Sequence, residues 1–427
     1  MSYLPNLFAL STWYYPKVRG PSVAMQPRIA YQQQQQQQQQ VAAEGEEEEI
    51  HAASATADGL LLLPPQLEEL EIWYCRELSL HHPNSKAGGT GGGLQGLRCL
   101  RSLEIFVTIL LLKFALLLSS LRTLKFALLC SLPSPLQVLQ LYRTKGRETP
   151  VPFSNLTSLT ELYISTCEGL RVEGGLWPLL AHGRLTKLEV METPNFFVGC
   201  EPPPQPQEGG IPVPLCSSSS SNLQDLYTDD AAGVLAAPIC TLLSSSLTTL
   251  SFIDTTERFT EEQEEALQHL ASLQHLRFDN CEKLQRLPTG LHKLTNLKSL
   301  VIFSCDALRS LPKGGLPSSL QKLRLKYCSA IQSLPKDTLP SSLQVLEIRS
   351  CPAIRSLPKV DSLPSSLRKL DVRFSDSDEL RGQCRKLRGI IPVIISIRAS
   401  YLTEQNNHLN QIILMKGFKI IEGPFQA

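Results

Sequence analysis

One phrase recurs four times in succession and constrains how this chain can fold. It has the form L-x-x-L-x-(L/I/F)-x-x-C, and its copies begin at Leu273, Leu297, Leu320 and Leu343. Successive copies start 24, 23 and 23 residues apart, and each is followed by a Leu-Pro pair. One copy is too short to bury its own apolar side chains, so successive copies must stack on one another.

A period of about 20–29 residues with this leucine spacing is typical of leucine-rich repeats. Inward residues alternate within the phrase, which is the period of a strand, and the Leu-Pro pair belongs in the returning loop because proline has no N–H to donate to a ladder. The predicted fold is therefore an α/β leucine-rich-repeat solenoid. It is expected to be curved, with short parallel strands on its concave face and loops and short helices on its convex face.

Further copies extend the array towards both termini. Clear ones begin at Leu67 and Leu159, and weaker ones lie near Leu100, Leu121, Leu136, Leu185, Leu223, Leu247 and Leu367. Between Leu103 and Leu132 the spacing is damaged, because a short motif recurs there after only 12 residues. Half a coil does not stack regularly, so we expect an irregular bulge or a poorly ordered section in that stretch.

Composition divides the chain into three parts. Residues 1–59 contain a glutamine tract and an acidic run with little to bury, and they are predicted to be disordered. Residues 60–392 form the predicted repeat domain, with loop insertions near 81–96 and 199–221 that are rich in Gly, Pro and Ser. Residues 393–427 show no repeat register and are predicted to be a tail. Within the domain, Thr260 and Gln263 have the spacing of a capping box at the start of a helix.

The cysteines occupy one slot of the repeat. Six of the 12 follow the strand phrase, at Cys75, Cys167, Cys281, Cys305, Cys328 and Cys351. A small apolar thiol in that slot packs inside the coil. Stacked coils lie about 4.8 Å apart, so neighbouring thiols come within disulfide reach in an oxidising compartment. Reduced thiols are the preferred state, and no zinc spacing is present, so neither a metal nor a cofactor is expected.

Charge and hydropathy indicate where the protein works. The formal net charge is +1, which gives the whole chain no attraction to nucleic acid or to an anionic membrane. No secretory signal precedes the repeats. The most apolar run, residues 105–118, contains Lys113 and is shorter than the roughly 20 residues of a membrane span. A cytoplasmic protein is expected.

Side chains that point away from the core form ladders along the strands. Residues 320–373 carry ten Lys or Arg against four Asp or Glu, so this part of the surface is predicted to be basic. Two interpretations stay open: a binding surface for a protein partner with an acidic patch, or a solvated ladder that keeps the sheet in solution. The candidate binding residues are Trp73, Tyr163, Arg277, Lys322, Arg324, Lys326, Glu347, Arg349, Lys369 and Arg373.

The cysteine slot combined with the Leu-Pro-Ser-Ser-Leu linkers at Leu316, Leu339 and Leu363 resembles the carboxy-terminal region of plant nucleotide-binding leucine-rich-repeat disease-resistance proteins. The resemblance implies that the repeats sense pathogen effectors, or host proteins that effectors modify. The phosphate-binding pattern G-x-x-x-x-G-K-(S/T) of that family is not found in the sequence, so nucleotide binding is not expected on this chain. The chain resembles the repeat region of such a receptor without its nucleotide-binding domain, which fits a truncated receptor or an incomplete gene model.

The function expected from the sequence is thus non-enzymatic protein recognition of the plant immune type. One alternative is a leucine-rich-repeat substrate receptor of a ubiquitin ligase, and another is a secreted inhibitor of a foreign enzyme. Catalysis is disfavoured because the histidines do not pair with a serine, a cysteine or a carboxylate at an interpretable spacing.

Overall fold

A computed structural model divides the chain into two compact units, residues Met1–Thr249 (unit 1) and Leu250–Ala427 (unit 2), and each is described separately. The residues described are 9–13, 22–23, 61–62, 66–73, 80–81, 97–106, 132, 134–142, 150–151, 153, 156–167, 170–172, 176–198, 200, 221–254, 257–312, 314–335, 339–374 and 377–396.

Unit 1 is built on a sheet of short strands. The strands are β1 (Ala9–Trp13), β2 (Ser22–Val23), β3 (Leu61–Leu62), β4 (Glu69–Trp73), β5 (Leu80–His81), β6 (Ser102–Phe106), β7 (Val138–Tyr142), β8 (Pro150–Val151), β9 (Glu161–Ser165), β10 (Arg171–Val172), β11 (Lys187–Met191) and β12 (Asp225–Thr228). The sheet runs in the order β2, β1, β4, β6, β7, β9, β11, β12, and only β2 is antiparallel to its neighbour. The pairs β3·β5 and β8·β10 are separate and parallel. The helices are α1 (Trp177–His182), α2 (Ala231–Val234) and α3 (Ala237–Leu243).

Unit 2 repeats the same plan with greater regularity. Its strands are β13 (Thr249–Ile253), whose first residue belongs to unit 1, β14 (His275–Asp279), β15 (Ser299–Phe303), β16 (Lys322–Lys326), β17 (Val345–Arg349), β18 (Lys369–Asp371) and β19 (Val393–Ile395). They lie side by side in chain order, and the pairs from β14 to β19 are parallel and in register. The α-helices are α4 (Glu261–Gln268) and α5 (Asp378–Lys386), and 3-10 turns cover Thr289–Lys293 and Val360–Ser362.

The core follows the alternation in the repeat phrase. The second and fourth residues point inward in β7, β9, β11 and β13 to β17, and in β16 these are Leu323 and Leu325, both fully buried. Equivalent residues stack on one another from strand to strand because the register keeps them aligned. Both units are leucine-rich-repeat solenoids, as the sequence predicts.

Coils of unit 2 leave their strands through a left-handed residue, which the sequence did not predict. Asn280, Ser304, Tyr327 and Ser350 all have φ between 50° and 56° although none is glycine. The amide of each donates to the carbonyl of the fifth strand residue in the next coil, as in Ser304 N to Lys326 O at 2.9 Å. This bond offsets the strain of the left-handed conformation, which costs roughly 1–2 kcal/mol in a residue with a Cβ.

The cysteine slot lies immediately after this left-handed residue. Cys281, Cys305, Cys328 and Cys351 are buried free thiols. The Cys328 thiol lies 3.6 Å from the carbonyl of Ile302 in the preceding coil and 3.3 Å from that of Lys326 in its own coil. The predicted inward packing is confirmed, and the thiols add weak hydrogen bonds between coils.

The Leu-Pro-Ser-Ser-Leu linkers return the chain to the sheet. The second serine of each linker donates to the carbonyl of the first leucine in the preceding coil, as Ser342 Oγ does to Leu320 O at 2.8 Å. Ser319 and Ser366 make the corresponding bonds to Leu297 and Leu343. A hydroxyl at this position therefore gives the carbonyl of the preceding coil a hydrogen-bond partner.

The capping box predicted at the start of α4 is present. The Thr260 side chain accepts from the Gln263 amide, and the Gln263 side chain accepts from the Thr260 amide. At the other end of unit 2, α5 begins at the cap residue Ser377 and packs Leu380 and Cys384 into the core. Its Gln383 accepts from the amide of Leu357 at 2.7 Å, which ties the helix to the repeats.

Three parts of the chain differ from the sequence-based expectation or lie outside the described residues. Strand β1 falls within residues 1–59, yet it pairs with β4 over five residues. Strand β6 pairs directly with β7, and the weak phrase near Leu121 and most of the stretch with damaged spacing lie in residues 107–131, outside the described part. Strand β19 extends the sheet into the predicted tail. Most of the two loop insertions also lies outside the described part.

Candidate protein-binding surfaces

The outward side chains of β14 to β18, together with the residues that directly follow β18, form a surface that we call the basic face. It carries seven cationic side chains and three carboxylates at the first, third and fifth strand positions. The cations are Arg277, Lys322, Arg324, Lys326, Arg349, Lys369 and Arg373, and the carboxylates are Asp279, Glu347 and Asp371. All seven cations were predicted from the sequence, and the parallel register brings them onto one side of one sheet.

Glu347 lies beneath the cations rather than among them. Although it was predicted to be an exposed contact, its residue exposure is only 3%. Its carboxylate lies 3.3 Å from Arg349, 3.4 Å from Lys369 and 3.6 Å from Arg324. Glu347 is buried because the long basic side chains of Arg324, Arg349 and Lys369 cover this shorter acidic one.

Asp371 holds two arginines, Arg349 from the adjacent coil and Arg373 from its own coil. It is fully buried, and its carboxylate lies 2.8 Å from Arg349 and 2.9 Å from Arg373. Burial by itself raises the pKa of Asp371, but the hydrogen bond from Arg373 and the charges of both arginines outweigh burial and lower that pKa below its ordinary value. The same bond raises the pKa of Arg373. Asp371 therefore stays ionised and fixes both guanidinium groups.

The two buried carboxylates give the basic face a defined geometry. Four cations, Arg324, Arg349, Lys369 and Arg373, share only two negative charges, so this cluster keeps an excess of positive charge. Long side chains lose rotamer entropy when they bind a partner. Here Arg349 and Arg373 are already held by hydrogen bonds to Asp371, which lowers that loss for a partner with carboxylates.

An aromatic patch borders the cations. The Arg277 guanidinium binds Asp279 through two nitrogens, at 2.7 and 3.1 Å, and lies 5.6 Å from the ring centroid of Phe303. The Phe303 ring meets Tyr327 edge to face at 5.3 Å. Tyr327 is 52% exposed. Arginine beside exposed aromatic rings is a frequent composition at the centre of protein interfaces.

Sequence reasoning missed Phe303 and Tyr327. Phe303 stands at the fifth strand position, one coil away from Asp279, so the same alternation that identified Arg277 points to it. Tyr327 had no such signal, because it reaches the surface through the left-handed turn that follows β16.

Unit 1 carries a surface of opposite charge, which we call the acidic face. Its first and third strand positions supply six carboxylates and one cation, Lys187, from β4 to β12. The carboxylates are Glu69, Glu71, Glu104, Glu161, Glu189 and Asp225, and each is exposed or half-buried.

Tyrosine rings stand between these carboxylates. The Lys187 ammonium lies 5.0 Å from the ring centroid of Tyr163 and 5.7 Å from that of Tyr227, on the two neighbouring strands. The hydroxyl of the predicted contact Tyr163 donates to Glu161 at 2.5 Å. Burial, followed by the hydrogen bond to Glu161 and nearby carboxylates, raises the pKa of Tyr163. The predicted contact Trp73 is the fifth residue of β4 and pairs with Phe106, and its side chain lies outside the described part.

Crowding of like charge is visible in two other pKa shifts. Burial and then the charge of Glu71 raise the pKa of Glu104. Burial, followed by the charges of Glu189 and Glu104, raises the pKa of Tyr142 to about 12. Carboxylates on adjacent strands therefore repel one another and disfavour additional negative charge.

The described part of the chain contains neither a metal-binding cluster nor a membrane-spanning helix. No group of three or more His, Cys, Asp or Glu side chains converges there as a metal site would require. None of the helices among those residues is both long enough and apolar enough to cross a bilayer.

Comparison with known proteins gives partial matches. The disease resistance protein RPS6 of Arabidopsis thaliana is 37% identical over 78 residues, which make up 18% of this chain and 7% of that protein. The chain thus spans a small part of the length of the curated relative it matches. No protein-family model matches the sequence.

Solved structures of low sequence identity also match. The leucine-rich repeat domain of the type III effector XopL is 18% identical, with a TM-score of 0.31, and the match covers 67% of this chain and 72% of that one. A leucine-rich repeat protein of Leptospira interrogans is 15% identical, with a TM-score of 0.30, and the match covers 79% of this chain and 93% of that one.

Proposed function

We propose that this chain is a non-enzymatic protein-recognition module whose basic face binds an acidic surface of its partner. The observation that carries the proposal is the arrangement of Arg349 and Arg373 around buried Asp371. A merely solvated ladder has no need of buried carboxylates to orient its cations. A partner carboxylate gains bidentate, charge-assisted hydrogen bonds from arginines that are already in position.

We further propose that the partner belongs to plant defence, as a pathogen effector or as a host protein that an effector has modified, and that recognition takes place in the cytoplasm. Two observations support this. The Arabidopsis disease resistance protein shares 37% identity over 78 residues, and the cysteine slot with its Leu-Pro-Ser-Ser-Leu linkers resembles the repeats of plant resistance proteins.

Calorimetry with a synthetic Asp- and Glu-rich peptide tests the role of the basic face. Reversing two of its charges, Lys322→Glu with Lys326→Glu, should weaken binding by roughly tenfold or more, since each exposed ion pair contributes about 0.2–1 kcal/mol and reversal adds repulsion. The control reverses Lys283 and Lys386, which are exposed outside the strands. Equal losses in both variants would show that net charge alone attracts the peptide, and no binding by the unmodified chain would contradict the proposal.

The defence proposal needs a second experiment. Pairwise interaction with a panel of pathogen effectors should identify one that binds the unmodified chain and not the Lys322→Glu/Lys326→Glu variant. An effector that binds both equally would place recognition on another surface. If no effector binds but the acidic peptide still does, the assignment to plant defence is wrong. The proposal that the basic face binds an acidic partner then still stands.

A further inference from the structure

We propose that the acidic face of unit 1 is a second recognition surface, which binds a lysine- and arginine-rich segment of a protein partner. The inference goes beyond the proposed function, because it concerns other residues and a partner of opposite charge.

The arrangement of the carboxylates is the first argument. Glu71, Glu104 and Glu189 occupy the same strand position on β4, β6 and β11, and the register keeps that position aligned across the sheet. The first strand position adds Glu69, Glu161 and Asp225, again in line. The result is two nearly parallel rows of negative charge on one surface.

The extent of the rows indicates an extended ligand rather than a single ion. Six adjacent strands spaced about 4.8 Å apart place the outermost carboxylates roughly 24 Å from each other. The described residues contain no cluster of three or more ligating groups that would hold one metal ion. A polypeptide in extended conformation covers roughly 24 Å with about seven residues, so a short basic segment can reach the carboxylates on β4, β6, β9, β11 and β12.

The tyrosines supply the second argument. Lys187 already places an ammonium group between the rings of Tyr163 and Tyr227, at 5.0 and 5.7 Å from their centroids. This is an intramolecular example of the contact that a partner lysine or arginine would make, because the face of a tyrosine ring attracts a cation. The next ring along the sheet, Tyr142, lies in the field of Glu104 and Glu189, which provides a similar setting for a cation from outside.

The electrostatics of the face agree with a cationic ligand. Burial, and after it nearby like charges, raise the pKa of Glu104 and of Tyr142, and the six carboxylates of the acidic face outnumber its one cation, Lys187. A bound cation would relieve this repulsion, and the gain should shrink as salt screens it.

The experiment is fluorescence anisotropy of the full chain with a labelled seven-residue peptide of alternating Lys and Ser. The Glu104→Gln/Glu189→Gln variant should bind roughly tenfold more weakly, because two charge pairs with the peptide are removed. Both substitutions keep the side-chain shape, and circular dichroism checks the fold. The control, Glu262→Gln/Glu265→Gln, removes the same charge from helix α4 and should leave binding unchanged.

Two substitutions of Tyr163 separate the contribution of its aromatic ring from that of the nearby carboxylates. Tyr163→Phe should retain peptide binding, and Tyr163→Leu should weaken it several-fold, because only the first keeps an aromatic face for the cation. Binding should also weaken as the salt concentration rises. Equal losses in the Glu262/Glu265 control, or no binding at all, would overturn the proposal.

Self-association and the behaviour of the basic-face variant distinguish the remaining explanations. Self-association that disappears in Glu104→Gln/Glu189→Gln, without peptide binding, would replace the proposed partner by a second copy of this chain. The Lys322→Glu/Lys326→Glu variant should bind the basic peptide normally. Failure of the acidic face is therefore distinguishable from failure of the proposed function.

Discussion

The Arg349 guanidinium lies 2.8 Å from the carboxylate of Asp371, which stands two residues earlier in the repeat register on the neighbouring coil. The contact exists because parallel strands in register place the third and fifth positions of adjacent coils diagonally across from each other. Arg373 approaches the same carboxylate from its own coil. The repeat period therefore decides where these charges meet, and the burial of Asp371 decides how firmly they are held.

Replacing Asp371 with Asn should lower the free energy of unfolding at pH 7 by about 1–3 kcal/mol, because a fully buried, charge-assisted acceptor is lost. Urea denaturation measures this change. Asp361, which is exposed in a 3-10 turn, provides the control, and Asp361→Asn should leave the unfolding midpoint in place. A midpoint unaffected by Asp371→Asn would show that the arginines need no buried carboxylate.

The Asp371→Asn substitution should also change how the stability of the fold depends on pH. The pKa of Asp371 in the folded state lies below its ordinary value of 3.8. Its contribution is therefore fully present above that ordinary pKa and is lost as the pH falls through the folded-state pKa. Between about pH 5 and pH 2 the unmodified chain should lose more stability than Asp371→Asn. Parallel curves for the two proteins would contradict the ion pairs.

Truncating Tyr327 to Ala should weaken binding of a partner at the basic face and leave stability almost unchanged. Its ring is 52% exposed, and an aromatic side chain at the centre of an interface contributes about 2 kcal/mol or more. Calorimetry and thermal unfolding separate the two effects. Val360, 46% exposed and outside the strands, is the matched control. Equal affinity of Tyr327→Ala and the unmodified chain would exclude the aromatic patch.

Ser304 offers a test of the left-handed turn between coils. Its φ is 53°, a conformation that glycine adopts freely and a β-branched residue resists. Ser304→Val should therefore destabilise the fold by about 1–2 kcal/mol, and Ser304→Gly should be neutral or slightly stabilising. Denaturation of both variants, with Ser310→Val as the control in an exposed connection, checks this order. If Ser304→Gly destabilised the fold more than Ser304→Val does, a left-handed conformation at Ser304 would be contradicted.

Thiol labelling tests how well the coils enclose their buried cysteines. Burial raises the pKa of Cys200 and of Cys240 to about 12, and it raises that of Cys384 to about 11. In the native protein at pH 8, these thiols should be alkylated at least roughly a hundredfold more slowly than exposed Cys99, because few of them are ionised and reagent access is limited. Mass spectrometry of labelled peptides gives each rate. Rapid native labelling of Cys281 or Cys305 would show that the coils do not enclose their cysteines.

The repeat period carried most of the fold, for a physical reason that particular residues illustrate. Leu323 and Leu325 are buried because their spacing matches the alternation of a strand, and the capping box at Thr260 forms because its hydrogen bonds are local. Both features depend on near neighbours in sequence, so the sequence alone predicts them.

Features that depend on neighbouring coils were harder to predict. Glu347 resembles an exposed ladder residue until Arg324 and Lys369 from adjacent strands cover it. The left-handed residues escaped notice because Asn, Ser and Tyr fill that position where glycine would have marked it. Strand β1 has no repeat phrase, and its pairing with β4 rests on backbone hydrogen bonds that carry no side-chain signature.

Lysine footprinting tests most directly whether partners bind the outward strand face of unit 2. The chain is acetylated with and without a saturating Asp- and Glu-rich peptide, and each lysine is followed by mass spectrometry. Lys322, Lys326 and Lys369, on the strands, should be protected, while Lys283 and Lys386, outside them, stay reactive. Protection of Lys283 and Lys386 with no change at the three strand lysines would contradict the proposed binding surface.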